Sequence, residues 1–163
     1  MYTKGSLNKD NLDNCLKELA KEYKKKARHI RAEIIIVGGA AVVANYGFRD
    51  MTMDIDAIIQ SEVSMKEAIN AVGDRLGLSN GWINSDFKKT TSFSHKLVMH
   101  SKYYKTFANI LEVRTIKSEY LIAMKLKSGR YYKNDLSDII GILKEENMKI
   151  TTLLYHMKIF LNL

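Results

Sequence analysis

The sequence predicts an α/β or α+β fold, with strands set among helices and helices dominating the last third of the chain. Two short apolar runs, residues 33–37 and 53–60, have strand length and are rich in β-branched residues. Longer segments repeat their apolar residues at three- and four-residue steps, the period of a helix with one buried face. Between the two apolar runs stands a glycine pair, Gly38-Gly39, followed by a small-residue stretch. With 163 residues the chain is long enough to bury a sizeable core, and it reads as one domain over 1–163.

In order, Leu7, Leu12, Leu16, Leu19 and Tyr23 predict an amphipathic helix over 7–29, with Asn8 or Asp10 as its cap. Residues 33–37 are a buried strand and 39–46 a short Ala/Val helix ended by Gly47. Residues 53–60 are a second strand, and Met65, Ala68, Ile69, Val72 and Leu76 mark a helix over 64–77. Residues 78–92 are polar and turn-like, with one short helix. Two further strands are expected at 93–101 and 108–115. Ser118 is positioned to cap a helix over 117–127, broken by Gly129. Two more helices follow at 133–147 and 151–161, so 116–163 is a helical C-terminal part.

The net charge is +8, and five of those charges fall within the basic N-terminal helix region 1–31, which holds nine Lys/Arg against four acids. Such asymmetry points to an anionic partner, either a nucleotide, an RNA or an acidic protein; a solvated helix face is the structural alternative. No apolar run reaches 18 residues, which excludes a membrane-spanning helix, and the opening MYTKGSLNKD lacks the apolar core of a secretory signal. Cys15 is the only cysteine, so no disulfide forms within the chain and no Cys-rich zinc site is available; a cytoplasmic location is expected. The four histidines are scattered without metal-ligand spacing. Ser92, Ser94 and His95 lack the strand–turn–helix motif of a serine hydrolase. Tyr103, Tyr104 and Phe107, interleaved with Lys102 and Lys105, fit either base stacking or a partly buried hairpin.

Asp54 and Asp56 are the chemical anomaly. Side chains alternate along a strand, so two carboxylates one residue apart share a face inside an apolar run. Burying them unpaired costs several kcal/mol, roughly, and something positive must compensate. Mg²⁺ is a hard cation held by one or two carboxylates together with substrate phosphates, and so suits the pair; a local base such as Arg49 is the other solution. The glycine turn strengthens the metal reading. A Gly-Gly that opens a helix lets backbone approach a ligand, and the helix N-terminus offers free N–H groups to phosphate.

The string GGAAVVANYGFRDMTMDIDA, with fourteen residues between GG and DID, resembles the signature of the nucleotidyltransferase superfamily of polymerase β-type fold. It is most similar to the branch of AbiEii-type toxins and DUF6036-like proteins, where Gly47, Arg49 and Thr52 occupy matching places. SEYLIAMKLKSGRYYKNDLSDIIGIL, residues 118–143, is similar to a second block of that branch, matching at Lys125, Arg130, Asp135 and Asp138. The two blocks cover about a third of the chain. The resemblance implies a nucleotidyltransferase core with a short mixed sheet and flanking helices, and Mg²⁺-dependent transfer of a nucleoside monophosphate from an NTP to an acceptor hydroxyl. It implies that Gly38, Gly39, Arg49, Thr52, Lys125 and Arg130 contact the nucleotide, and that Asp54 and Asp56 hold one or two Mg²⁺ ions. It also implies a third carboxylate on a later strand, for which Glu112 is the candidate and Asp86 the weaker one. Asp135 and Asp138, three apart on one helix face, either orient Lys125 or Arg130, or are first-turn acids favoured by the helix dipole. The same branch implies a tRNA acceptor, a toxin role and an antitoxin partner. The alternatives are a degenerate member that binds nucleotide or RNA without chemistry, and an interaction module.

Overall fold

A computed structural model describes residues 5–60, 63–129 and 134–161, with residues 160 and 161 described by backbone alone. The elements run β1 (Leu7–Asn8), α1 (Lys9–Ala27), β2 (Ala32–Ile36), α2 (Gly38–Asn45), β3 (Met51–Thr52), β4 (Ile55–Ile59), α3 (Val63–Leu76), β5 (Ile83–Asn84), β6 (Ser101–Phe107), β7 (Leu111–Ile116), α4 (Ser118–Ser128), α5 (Asp135–Glu145) and α6 (Ile150–Leu161). Two 3₁₀ turns, Asp86–Lys89 and His95–His100, lie between β5 and β6. Among the described residues no helix is long and apolar enough to cross a membrane.

The principal sheet has the order β5-β4-β2-β7-β6 and is mixed, as expected for an α+β nucleotidyltransferase fold. β2 runs antiparallel to β4 and parallel to β7, β5 is parallel to β4, and β6 and β7 form an antiparallel hairpin. Ile34, Ile35 and Ile36 are all fully buried, so β2 is covered on both faces, which is why it reads as a continuous rather than an alternating apolar run. The core extends from Leu7 to Leu153. α4 buries Tyr120 through Lys125 consecutively, a helix enclosed on nearly every side.

The predicted elements at 33–37, 39–46, 64–77, 117–127, 133–147 and 151–161 form within two residues of the expected ends. The strand expected at 93–101 does not form. Ser94 Oγ instead accepts from the Lys96 N–H and starts a 3₁₀ turn that buries Leu97, and the strand follows at Ser101–Phe107. β6 is the sheet edge, largely exposed and carrying Lys102 and Lys105, so it has little apolar alternation to read. β1 and β3, two residues each, were also not foreseen; they pair antiparallel as Leu7↔Thr52 and Asn8↔Met51.

The basic N-terminal helix resolves into ion pairs. Lys21 meets Glu18, Lys25 meets Glu22, Lys26 meets Glu67 on α3, and Arg75 of α3 meets both Glu18 and Glu22. Three of the basic residues from which an anionic partner was expected, Lys21, Lys25 and Lys26, therefore stand in a mixed-sign surface where α1 packs against α3.

Candidate functional site

β2 delivers the chain to the glycine turn, and β4 returns beside it. The Val37 N–H donates to the Asp56 carbonyl at 2.9 Å, locking the end of β2 to the start of β4. Gly38 then turns left-handed, with φ of +62°, and α2 begins. A β-carbon at Gly38 would sit 3.2 Å from Asp56 Oδ2. The turn thus lies directly against the carboxylate, and an L side chain there would be both strained and crowded. A β-carbon at Gly39 would lie 2.7 Å from the Arg49 guanidinium, which occupies the space a side chain would need.

Asp54 stands just before β4 rather than within it, exposed, while Asp56 is half-buried on the strand. The Thr52 hydroxyl donates to the Asp54 carbonyl at 3.1 Å, and Arg49 Nε donates to the Met51 carbonyl at 3.2 Å. The short segment 49–54 therefore sets Arg49 against the glycine turn and carries Asp54 up to the start of β4.

On the far side, α4 and α5 contribute a buried charge network. Lys125 Nζ is 2.7 Å from Asp135 Oδ1 and 2.8 Å from Asp138 Oδ2. Asp138, only 2% exposed, also pairs with Arg49 Nη1. Ser128 Oγ contacts Asp135 at 3.2 Å. Two cations and two carboxylates share one enclosure: Asp135 and Asp138 hold Lys125, Asp138 holds Arg49 as well, and both acids also stand in the first turn of α5, where the helix dipole favours them. Arg49, from the loop between α2 and β3, thus joins the network that α5 supplies. Helix ends nearby are tied by Glu146, which accepts from Tyr46 and, at 2.5 Å, from Ser118; burial and the Glu146 charge push the Tyr46 hydroxyl far above its ordinary value.

Gly38, Gly39, Arg49, Thr52, Asp54, Asp56, Lys125 and Asp135 all line one cleft of about 670 Å³. Asp138 is buried behind its wall. The segment after β5 lines the same cleft, and sequence reasoning gave it little weight. Asn84 lies beside Asp56 in parallel register, and Asp86, Thr90 and Thr91 border the same space. Asn84 and Asp86 sit in a turn-rich stretch whose only signal is polarity, so nothing in their spacing ties them to Asp56.

Glu112 is not part of this arrangement. On β7 it pairs in register with Glu33, at the opposite end of β2 from the glycine turn, whereas Ile36 is level with Thr115. Four residues of strand, roughly 13 Å, separate Glu112 from Ile116, the residue that follows the level of the turn. Glu112 bonds Arg114 at 3.0 Å and borders a separate hollow with Glu33 and Gln60. The expectation fails because the alternation gave its face correctly and gave no information on its height along the sheet. Arg130 lies outside the described residues. Among the described residues no three acidic, histidine or cysteine side chains stand together closely enough to hold a metal ion.

A family model described as "Nucleotidyltransferase of unknown function (DUF6036)" matches residues 13–160. The chain belongs to the DUF6036 family. The match spans both halves of the cleft, from the glycine turn to α5 and beyond, and so covers every described residue placed there. No curated protein and no solved structure matches the chain.

Proposed function

We propose that this DUF6036 protein is a Mg²⁺-dependent nucleotidyltransferase that moves a nucleoside monophosphate from an NTP to an acceptor hydroxyl. The observation that carries this reading is the single cleft in which the glycine turn lies against Asp56 while Lys125 and Arg49 close the other side. The donor set fits a hard cation: Asp54 and Asp56 are oxygen ligands at the mouth of a cleft beside a helix N-terminus, and together they would hold the ion. Bound Mg²⁺ would supply positive charge to the phosphates.

The residues of the chain do the rest. The Gly38-Gly39 turn and the first N–H groups of α2 bind the triphosphate. Lys125 and Arg49, fixed in direction by Asp135 and Asp138, add charge where pyrophosphate departs. The acceptor oxygen forms a bond to the α-phosphorus, the α–β bridging bond breaks, and its electron pair leaves on pyrophosphate. Asp86, which borders the cleft and was the weaker candidate for the third carboxylate, would take the hydroxyl proton in place of Glu112. Its ion pair to Lys89, at 3.1 Å, joins two largely exposed side chains and holds it weakly. An RNA hydroxyl, tRNA included, is the acceptor class proposed, and action in the cytoplasm as a toxin restrained by an antitoxin is the proposed setting.

A second reading, nucleotide binding without transfer, is favoured by one observation: no third acid joins Asp54 and Asp56 in a ready metal cluster among the described residues. One assay separates the two. The protein is incubated with each α-labelled NTP and total tRNA, with and without Mg²⁺. Label transfer that needs Mg²⁺ and is lost in Asp54→Ala and Asp56→Ala establishes the transferase. Nucleotide binding with no transfer establishes the binder, and neither result removes the reading.

A further inference from the structure

We propose that the N-terminal strand β1 is a strap that fixes the carboxylate-bearing segment 49–54, with Asn8 as its positioning residue. Catalytic significance rests on the transferase reading; the strap itself does not. Three observations converge. First, β3 pairs with β1 in a separate two-stranded ladder, and lies outside the principal sheet. Second, β3 is the hub from which the site hangs: Met51 holds Arg49 through its carbonyl, and Thr52 holds Asp54 through its hydroxyl. Third, β1 is anchored far more firmly than two residues of strand require. Leu7 is fully buried. Asn8 Oδ1 accepts from the Asp10 and Asn11 N–H groups, and Asn11 Oδ1 accepts from the Asn8 N–H at 2.8 Å, a closed capping box. Asn11 Nδ2 also donates to the Ser6 carbonyl at 2.9 Å.

Asn8 is therefore a strand residue and a helix cap at once. The 19-residue helix α1 becomes the rigid body to which the ladder is bolted, and through the ladder it sets where Asp54 stands. A free 49–54 loop would keep its composition and lose its geometry, which matters where a carboxylate must meet a cation within a fraction of an ångström.

The test is amide hydrogen exchange on the full chain, read together with binding of Mn²⁺·NTP. Asn8→Ala removes the cap, and Leu7→Ala loosens the strand's anchor. Each is expected to raise exchange across residues 49–56 at least about tenfold while α4 stays protected, since local opening is governed by local contacts. Affinity for Mn²⁺·NTP is expected to fall in parallel, and Asn8→Asp, which keeps an acceptor at the cap, is expected to restore both. Leu19→Ala destabilises α1 away from the ladder and serves as the control. Unchanged exchange at 49–56 in folded Asn8→Ala protein, or equal loosening in Leu19→Ala, overturns the strap. Exchange that changes as expected in a protein that binds no nucleotide overturns only the catalytic role.

Discussion

Asp138 and Lys125 lie 2.8 Å apart, both almost wholly buried, and Asp138 reaches Arg49 with the same carboxylate oxygen. Removing Asp138 takes one carboxylate partner from Lys125, leaving it Asp135, and takes from Arg49 the carboxylate it pairs with. Asp138→Ala is expected to cost about 3–5 kcal/mol, the range for breaking a buried ion pair from one side. Urea unfolding measures it; a loss below about 1 kcal/mol, the level of a surface pair, would mean the network is open to solvent.

Gly39 faces the Arg49 guanidinium so closely that alanine must displace it. Gly39→Ala is expected to weaken NTP binding more than stability, because a displaced guanidinium sits where phosphates enter. Gly38→Ala adds left-handed strain of roughly 1–2 kcal/mol and crowds Asp56. Calorimetric titration with Mg-NTP beside a thermal melt distinguishes the two effects.

The three acids first grouped together should separate under substitution. Asp54→Asn and Asp56→Asn are expected to lower transfer by at least about a hundredfold, as for loss of a group that stabilises transition-state charge. Glu112→Gln, at the other end of the sheet, should leave transfer unchanged, and Asp86→Asn should lower kcat. A Glu112→Gln protein as defective as Asp56→Asn would contradict the register described for β7.

His100 stacks on Tyr120 with ring centroids 3.9 Å apart. Burial, then the Lys117 charge, holds its imidazole below its ordinary value of 6.5. The unfolded chain therefore binds more protons than the fold between the depressed value and 6.5. The stability that neutral His100 contributes is present above 6.5 and declines as pH falls below it. His100→Phe keeps the stacking and should flatten the stability profile on the acid side of pH 6.5. Denaturant midpoints across that range check the sign.

The sequence by itself determined the helices, the two central strands and half of the candidate site. Ile34–Ile36 declared a strand buried on both faces, Gly38-Gly39 declared a turn that something approaches, and the Asp54/Asp56 pair declared a charge needing a partner. These are local signals, carried by spacing within a few residues, and they survive into the structure because local backbone preference and tertiary packing agree there. The family resemblance added Lys125, Asp135 and Asp138, which no spacing rule linked to the glycine turn.

Only the tertiary structure decided which charges meet. Arg49 and Asp138 are far apart in sequence and were assigned separate parts, yet they form one pair. Asn84 gave no signal until β5 placed it beside Asp56, and Asp86, named only as the weaker candidate for a third acid, borders the same cleft. Glu112 had the right residue type and the right face but stands at the wrong height. The reason is physical. Side-chain alternation has a period of two and fixes only the face, whereas the register between strands is set by long-range packing across the core. The lysines of α1 make the same point: composition counts charge, and only the fold shows how much of it is already matched by Glu18, Glu22 and Glu67.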